Sequence, residues 1–316
     1  MVTPVLRAAQ GCQFCGGNQS EPRFNRLDAP WDYEYCFSCR SLTLKPLPTP
    51  EELRDFYNRQ YRVDPTGYAR NMKRLAPRFL AAMEALTEGR TLLEVGCSYG
   101  NFLCQARERG WQVAGVEISE EAARAARSKG LKVYSGLLAE RMEELGCGQW
   151  SAVCLWHVVE HVPDVHALMD DIFRLLSPGG VVLLRTPNAA GWGAKVFRGH
   201  WQWSIKPAHV SLFSPEGLTW LLDRHGFTDV HTQAARGEAQ TFLAQIVSSS
   251  VRFFKKTREW ASAPESRGSG STRWTERVYR RALYAAVMIG IPLDWLLRLN
   301  CGKLSGSELF VSARKA

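Results

Sequence analysis

The sequence predicts an α/β protein built around a doubly wound, mainly parallel sheet. The first observation is an apolar run, 91–95, that is typical of a buried strand and leads directly into a glycine turn at Gly96. The second is an amphipathic segment that starts at about Asn101, as expected of a helix. The third is another apolar run, 111–117, ending in Glu117, 21 residues after Gly96. Strand, glycine turn, helix and strand in this order form a nucleotide pocket at the carboxyl end of a parallel sheet.

Apolar runs farther along the chain supply the remaining strands. We predict strands near 91–95, 112–117, 131–134, 151–156, 180–185, 228–235 and 307–314. Upstream of them, Thr49 and Pro50 predict the N-cap and first turn of a helix, because proline is favoured there. A long amphipathic helix is expected from Gly67 to Leu86. Ser119, followed by two glutamates, predicts the cap of the helix after the second strand.

These blocks resemble the class I S-adenosylmethionine-dependent methyltransferases. The resemblance rests on four features in the family's order: the Gly96 turn, the strand ending in Glu117, the strand and loop 152–164, and the turn and strand 175–184. One departure is Ser98, where the family often has a third glycine. The alternative is a dehydrogenase, whose fingerprint places a glycine at that position beside the dinucleotide phosphates. The serine disfavours it.

The resemblance implies S-adenosylmethionine as the cofactor. The loop from Gly96 would wrap its methionine portion, Glu94 would hold its ammonium group, and Glu117 would hold the ribose hydroxyls. Leu137 and Leu138 would flank the adenine. The full set of candidate cofactor-binding residues is Glu94, Gly96, Cys97, Ser98, Gly100, Asn101, Phe102, Glu117, Ile118, Leu137, Leu138 and Trp156.

The candidate catalytic residues are His157, Glu160 and His161, just after the fourth strand. At helical spacing they share one face. His161 or His157 is the preferred general base, because imidazole titrates nearest to neutral pH. The alternative is that Glu160 and His161 only hold the loop and position the cofactor. The set also resembles the Glu-x-x-Glu-His motif and later histidine with which small-RNA 2′-O-methyltransferases bind a divalent metal. Here His157 replaces the first carboxylate, and His209 is the later histidine.

Aromatic residues crowd the segment between the fifth and sixth strands. Trp192, Trp201 and Trp203, together with His209, predict a substrate wall or lid. The alternative is a packed lid that does not touch the ligand.

Four of the nine cysteines have the spacing of a metal site. They form a C-x2-C-x20-C-x2-C pattern of Cys12, Cys15, Cys36 and Cys39. Two such knuckles let four thiolates converge on one Zn²⁺ in a closed, structural site. The alternatives are two unrelated thiol pairs or a disulfide pair. The other five cysteines have no metal spacing, and we expect them to be buried thiols.

Together these features predict a seven-stranded sheet of the class I methyltransferase type, with a small N-terminal zinc ribbon and a helical insertion before the last strand. The family inserts that strand antiparallel beside the fifth. The expected units are a cysteine module (1–45), a linker with N-terminal helices (46–88), the methyltransferase core (89–236), the helical insertion (237–305) and the last core strand (306–316).

The formal charge of +9 is concentrated in the insertion, where 251–281 carries nine basic and three acidic residues. Segment 273–299 predicts an amphipathic helix with a basic edge, which would lie on anionic lipid or pack on the sheet domain or on a second subunit as a homodimer element. No charged-then-apolar N-terminal pattern is present, and the longest apolar run has 12 residues, too short to span a bilayer. We therefore expect a cytoplasmic protein, peripheral to membranes if this helix binds lipid.

The functional expectation is methyl transfer to a small-molecule, sugar-linked or lipid-linked acceptor, by in-line displacement with a histidine base. Deoxysugar C-methyltransferases have a similar N-terminal cysteine module, and the 160–164 block resembles ubiquinone-type O-methyltransferases. Two alternative functions are RNA methylation, which the lack of a recognisable RNA-binding module disfavours, and a scaffold that binds the cofactor without turnover.

Overall fold

The computed structural model describes residues 11–23, 30–59, 65–235 and 306–316. The predicted helical insertion 237–305, with its basic helix 273–299, lies outside the described residues.

Eleven strands and eight α-helices are found in the described part of the chain. The strands are β1 (Ser20–Arg23), β2 (Asp32–Cys36), β3 (Leu42–Lys45), β4 (Thr91–Val95), β5 (Gln112–Glu117), β6 (Lys132–Ser135), β7 (Trp150–Trp156), β8 (Leu176–Pro187), β9 (Ser211–Leu212), β10 (Phe227–Ala235) and β11 (Glu308–Lys315). The helices are α1 (Pro50–Arg59), α2 (Pro65–Leu86), α3 (Asn101–Glu108), α4 (Glu120–Arg127), α5 (Met142–Leu145), α6 (Val165–Leu175), α7 (Trp192–Phe197) and α8 (Pro215–Arg224).

Seven strands form the central sheet, in the order β10-β11-β8-β7-β4-β5-β6. Five consecutive strands are parallel to one another: β8, β7, β4, β5 and β6. Strand β11 pairs antiparallel with both β8 and β10. The predicted doubly wound sheet is therefore confirmed, including the antiparallel last strand beside the fifth core strand. Because β11 runs in the opposite direction, its first residue, Glu308, pairs with Pro187 at the end of β8. It lies at the sheet edge where the parallel strands end.

The sheet is buried on both faces, as parallel strands flanked by helices must be. Alternate residues of one strand face opposite layers: Leu92 belongs to the apolar cluster that contains α2 and α3, and Leu93 to the one that contains α6 and α8. The predicted caps are present. The Thr49 hydroxyl accepts from the Glu52 N–H at 3.2 Å, and the Ser119 side chain accepts from the Ala122 N–H at 3.3 Å.

A second, four-stranded antiparallel sheet has the order β1-β2-β3-β9. Its first three strands come from the cysteine module, but β9 comes from the long connection between β8 and β10, with Leu42 paired to Leu212. Tyr33 donates its hydroxyl hydrogen to the His209 carbonyl at 2.7 Å, and Ser214 donates to the Cys39 carbonyl. The module is therefore built into the connection that carries the predicted substrate wall. Across the described residues, no helix combines the length and the apolarity needed to cross a membrane.

Candidate functional site

The turn after β4 has a backbone that only a glycine can adopt comfortably. Gly96 has φ 73°, and a Cβ there would lie 2.4 Å from Cγ2 of Val158. Gly100 has φ 70°, and its Cβ would lie 2.4 Å from Cδ1 of Leu131. Between them Ser98 takes φ 48°, a left-handed conformation that serine rarely adopts. The turn is thus held in the compact shape expected of a loop that wraps a ligand.

Glu117 ends β5 beside this turn and is tied to it by its carboxylate. One oxygen accepts from the Ser98 N–H at 2.7 Å and the other from the Ser119 N–H at 2.9 Å. Each carboxylate oxygen can accept a second hydrogen bond. The side chain is therefore fixed in place with acceptor capacity remaining for two hydroxyl donors.

Glu94 is fully buried near the end of β4, and neither of its carboxylate oxygens has a hydrogen-bond partner among the described residues. Burial, reinforced by the charge of Glu117, raises the pKa of Glu94 well above its usual value. An unpartnered buried carboxyl is costly. Its presence at the base of the glycine turn indicates a cationic or hydrogen-donating ligand.

Two large apolar side chains at the ends of neighbouring strands are left in solvent. Ile118, after β5, is 67% exposed, and Leu137, after β6, is 54% exposed. Leu138 is buried. The predicted adenine position, between Leu137 and Leu138, thus has one exposed and one buried side chain.

The remaining predicted cofactor residues include buried side chains and one that is partly exposed. Trp156 stacks on Phe79, with ring centroids 4.6 Å apart, and Phe102 meets Trp156 edge-on at 5.2 Å. Phe102 and Cys97 are fully buried. Asn101 accepts a hydrogen bond from Lys129 at 3.0 Å. These side chains support the turn from behind.

His157 and Glu160 form a hydrogen-bonded pair at the end of β7. Nδ1 of His157 lies 3.0 Å from Oε1 of Glu160, and the imidazole stacks on Trp203 at a centroid distance of 5.0 Å. The backbone of His157 is left-handed, with φ 57°. Glu160 is fully buried, while the His157 side chain is 26% exposed. The arrangement presents one oriented imidazole toward solvent.

His161 and His209 lie against each other behind this pair, with ring centroids 4.6 Å apart. Nδ1 of His161 is 3.1 Å from the Ala208 carbonyl oxygen, and Nδ1 of His209 is 2.8 Å from the Trp203 carbonyl oxygen. A carbonyl oxygen can only accept, so each Nδ1 carries the hydrogen. In the neutral rings Nε2 is therefore the acceptor atom.

Burial and neighbouring charges shift the pKa values of Glu160, His161 and His209. Burial opposes ionisation of Glu160, but the hydrogen bond and charge of His157, with the charges of the other two histidines, outweigh it and lower the pKa of Glu160 to about 2. Burial, with the charge of His161, lowers the pKa of His209 to about 3. Burial also lowers the pKa of His161. An ionised carboxylate thus faces two neutral imidazoles.

The predicted substrate wall divides into two parts. Trp203 contacts the histidine cluster through its stack on His157. Trp201 has no exposed surface and packs with Tyr33 and Leu42 of the cysteine module. Trp192 opens α7 and meets Phe197 edge-on at 5.7 Å. Trp203 and His209 are thus brought to the histidine cluster, whereas Trp201 is buried against the cysteine module.

Three site residues carry no signal in the sequence motifs. Thr186 donates its hydroxyl hydrogen to Oε2 of Glu160 at 3.0 Å. Glu308 has Oε1 3.7 Å from Nε2 of His157 and pairs with Arg185 at 2.5 Å. The predicted topology contained the necessary information, because the end of β8 and the start of an antiparallel β11 share the edge where β7 ends.

The four predicted metal-ligating cysteines meet in space. The Cys12 and Cys39 sulfurs are 3.6 Å apart, as are those of Cys15 and Cys36, and all four lie within 4.8 Å of one another. Tetrahedral Zn–S bonds of about 2.3 Å place sulfurs about 3.8 Å apart. The hydrogen bond between Cys12 and Cys39 lowers the pKa of Cys12 to about 5 and raises the pKa of Cys39, so the metal-free pair shares a proton that Zn²⁺ would displace. The donor set fits Zn²⁺.

The family model and the curated relatives that match this chain are all methyltransferases. A model described as a methyltransferase domain matches residues 68–232. The chain is 27% identical over 213 residues to the C-methyltransferase NovU of Streptomyces niveus, covering 66% of this chain and 49% of that protein. It is 36% identical over 105 residues to a ubiquinone biosynthesis O-methyltransferase of Pseudomonas paraeruginosa, a match that covers 32% of this chain and 45% of that protein. The chain spans about half the length of these curated relatives.

Among solved structures, phosphoethanolamine N-methyltransferase 2 of Haemonchus contortus, in complex with S-adenosyl-L-methionine, superposes with a TM-score of 0.54. The match has 16% sequence identity and covers 93% of this chain and 70% of that chain. At this identity the likeness shows the shared fold.

Proposed function

Because the chain belongs to the methyltransferase domain family, we propose that it is an S-adenosylmethionine-dependent methyltransferase acting on a small-molecule acceptor. The observation that carries the proposal is Glu94, a buried carboxyl without a partner among the described residues, at the base of a glycine turn. An ammonium group, directly or through water, would satisfy it. The two relatives named above are methyltransferases, which supports the same chemistry.

The residues present fit this cofactor. Glu117 would accept from the two ribose hydroxyls, the turn at Gly96 would wrap the methionine portion, and Ile118 with Leu137 would enclose the adenine. When bound, S-adenosylmethionine supplies an electrophilic methyl group on a sulfonium. The end of β7, which carries His157, is adjacent to the end of β4 in the sheet, so an acceptor held by the histidine cluster would face that methyl group.

His157 is the residue best placed to remove the acceptor's proton. Its Nδ1–H donates to the ionised carboxylate of Glu160, so in the neutral ring Nε2 is the basic atom. The hydrogen bond from Thr186 fixes Glu160, which in turn fixes the imidazole. His161 and His209 are deeper, and burial lowers their pKa values, so they suit the role of neutral hydrogen-bonding groups. Nε2 of His157 would accept the proton that the acceptor loses when it attacks the methyl group in line, with the sulfur as the leaving group.

Glu160, His161 and His209 also have the composition of a divalent metal site, with ligand atoms within 4.8 Å of one another. Both oxygens of Glu160 accept hydrogen bonds, from His157 and from Thr186, and each can still accept one further contact. We favour proton transfer over metal binding at this cluster because the hydrogen bond to Glu160 orients His157 as a base. Retention of full activity after exhaustive chelation, with zinc still in the cysteine module, is the expected result.

We assign Zn²⁺ a structural role in the cysteine module. Cys12, Cys15, Cys36 and Cys39 fill a tetrahedral shell, which leaves no position open for a substrate or water. The metal would hold together the module whose strand β3 pairs with β9. Through that pairing the zinc module would position Trp203 and His209. The resemblance of this module to that of the deoxysugar C-methyltransferases supports a sugar-linked acceptor, and the resemblance of the 160–164 block to ubiquinone-type O-methyltransferases supports a prenylated one.

Methyl transfer can be tested before the acceptor is identified. The full chain is incubated with a metabolite extract and methyl-labelled S-adenosylmethionine, and labelled products are sought by mass spectrometry. We expect a labelled product that requires the protein and is absent with His157→Gln. If the chain binds the cofactor but labels nothing in any extract, it is a cofactor-binding scaffold and the proposed catalysis is wrong.

A further inference from the structure

A cavity of about 500 Å³ lies between the cysteine module and α7, apart from the cofactor residues and the histidine cluster. It is lined by Glu21, Pro22, Arg23, Tyr35, Leu42, Ala189, Ala194, Lys195 and Arg198. Three cationic side chains and one carboxylate face it, so its lining has a net positive charge. The cavity is larger than a phosphate group requires, which leaves room for an attached ligand.

The three cations differ in how they are held. Arg23 lies over the Tyr35 ring, 3.5 Å from its centroid, and pairs with Glu21 at 2.5 Å. This contact orients the planar guanidinium, which is the side chain best suited to bind a phosphate through two hydrogen bonds. Lys195 and Arg198 have no acidic partner among the described residues, so their charge is available to a ligand.

The backbone of Arg198 supplies an independent observation. The residue has φ 47° and ψ −124° at the end of α7, a region that non-glycine residues avoid. Glycine would adopt this conformation without strain, and yet the strained position carries an arginine that lines the cavity. Strain held at a charged, cavity-lining residue points to a binding role.

We propose that this cavity binds the phosphate or diphosphate group of the acceptor, which would therefore be a phosphorylated or diphosphate-linked molecule. The inference rests on the proposed methyltransferase function for the identity of the ligand as the acceptor. The same connection that contributes Ala189 and Ala194 to the cavity contributes Trp203 and His209 to the catalytic cluster. One segment would thus hold the anionic end of the acceptor and face its reacting end.

Calorimetric titration of inorganic pyrophosphate into the full chain tests the site. We expect measurable binding that weakens at least about tenfold in Lys195→Gln and in Arg198→Gly, because each loses a charge-assisted contact. Lys132→Gln, on β6 at the far edge of the central sheet, is the matched control and should bind as the wild type does. The melting temperature of Arg198→Gly should not fall, because glycine relieves the backbone strain, so lost binding cannot be attributed to unfolding.

S-adenosylmethionine affinity is measured on the same samples and should be equal in all of them. Equal pyrophosphate affinity in wild type and variants, or no binding to the wild type, overturns the proposed anion site. If the wild type binds pyrophosphate and the variants bind it more weakly, but none of the samples binds S-adenosylmethionine, the anion site stands and the proposed methyltransferase function is refuted. Competition by uridine diphosphate and by farnesyl diphosphate then separates a nucleotide-linked from a lipid-linked acceptor.

Discussion

His157 donates a hydrogen bond from Nδ1 to the buried carboxylate of Glu160 across 3.0 Å, while its ring stacks on Trp203. The carboxylate is fixed by Thr186 and the ring by the tryptophan, so the imidazole has one orientation, with Nε2 3.7 Å from Oε1 of Glu308. A carboxylate that orients a histidine in this way serves to hold one tautomer and to stabilise the imidazolium that forms when the ring accepts a proton.

The first prediction concerns this pair. His157→Gln should lower the rate of methyl transfer by about 10²–10⁴-fold, the range typical for loss of a general base. Glu160→Gln should also lower the rate, because the amide cannot stabilise the imidazolium. Both are measured by single-turnover assay with the acceptor found in the extract. S-adenosylmethionine affinity should stay unchanged in both variants, and the exposed His231→Gln should retain the wild-type rate. A His157→Gln enzyme with full activity contradicts the assigned base.

The sheet and its order could be predicted because they follow from local patterns. The apolar runs at 91–95 and 112–117 coincide with β4 and β5, and Glu117 ends its strand as expected. The pairing of β3 with β9 could not be predicted, because β9 is only two residues long and its partner is about 170 residues away in sequence. The position of Glu308 follows from the predicted topology, which brings the start of β11 to the end of β8, but no motif of its own marks its contact with His157.

The second prediction is an acid instability caused by His209. The pKa of this histidine is about 3 when folded, against an ordinary value of 6.5. Between these values the unfolded chain binds more protons, so stability falls as pH decreases from 6.5 toward 3, by up to about 1.4 kcal/mol per pH unit. His209→Asn keeps a donor for the Trp203 carbonyl without titrating. The free energy of unfolding, measured with urea between about pH 7 and pH 5, should change less steeply with pH in the variant than in the wild type. Parallel curves would exclude His209 as the cause.

The third prediction separates stability from binding at Glu94. Its pKa is raised by burial, so the folded state holds a proton that the unfolded state releases above about pH 4.5. The contribution of Glu94 to the stability of the wild type should therefore decline as pH rises, opposite in sign to the contribution of His209. Glu94→Gln removes this decline. The free energy of unfolding of the variant, relative to that of the wild type, should therefore increase with pH. The same variant should bind S-adenosylmethionine more weakly, because the amide cannot attract the ammonium group. A variant that binds with wild-type affinity would remove Glu94 from the site.

The fourth prediction concerns the zinc module. Protein purified without added metal should contain one Zn²⁺ per chain, and Cys36→Ser combined with Cys39→Ser should lose it. Because β3 pairs with β9 and Trp201 packs in the module, metal loss should also increase hydrogen exchange across 189–214 while β4 and β5 stay protected.

Cys147→Ser is the matched control, since Cys147 lies outside the cluster and is exposed, so the expectation of a buried thiol is wrong at this position. It should keep both the zinc and the exchange pattern of the wild type. Zinc retained in the double variant, or increased exchange confined to residues 11–45, would show that the module does not support the connection.

The most direct test of the account is calorimetric titration of S-adenosylmethionine into the wild type and into Glu117→Ala. The wild type should bind one equivalent, and the variant should bind at least tenfold more weakly, because it loses two charge-assisted hydrogen bonds of about 1.5–3 kcal/mol each. Glu121→Gln, which removes a nearby exposed charge from α4, should bind as the wild type does. Equal affinity of Glu117→Ala and wild type, or no binding to the wild type, would contradict the placement of the cofactor at the glycine turn.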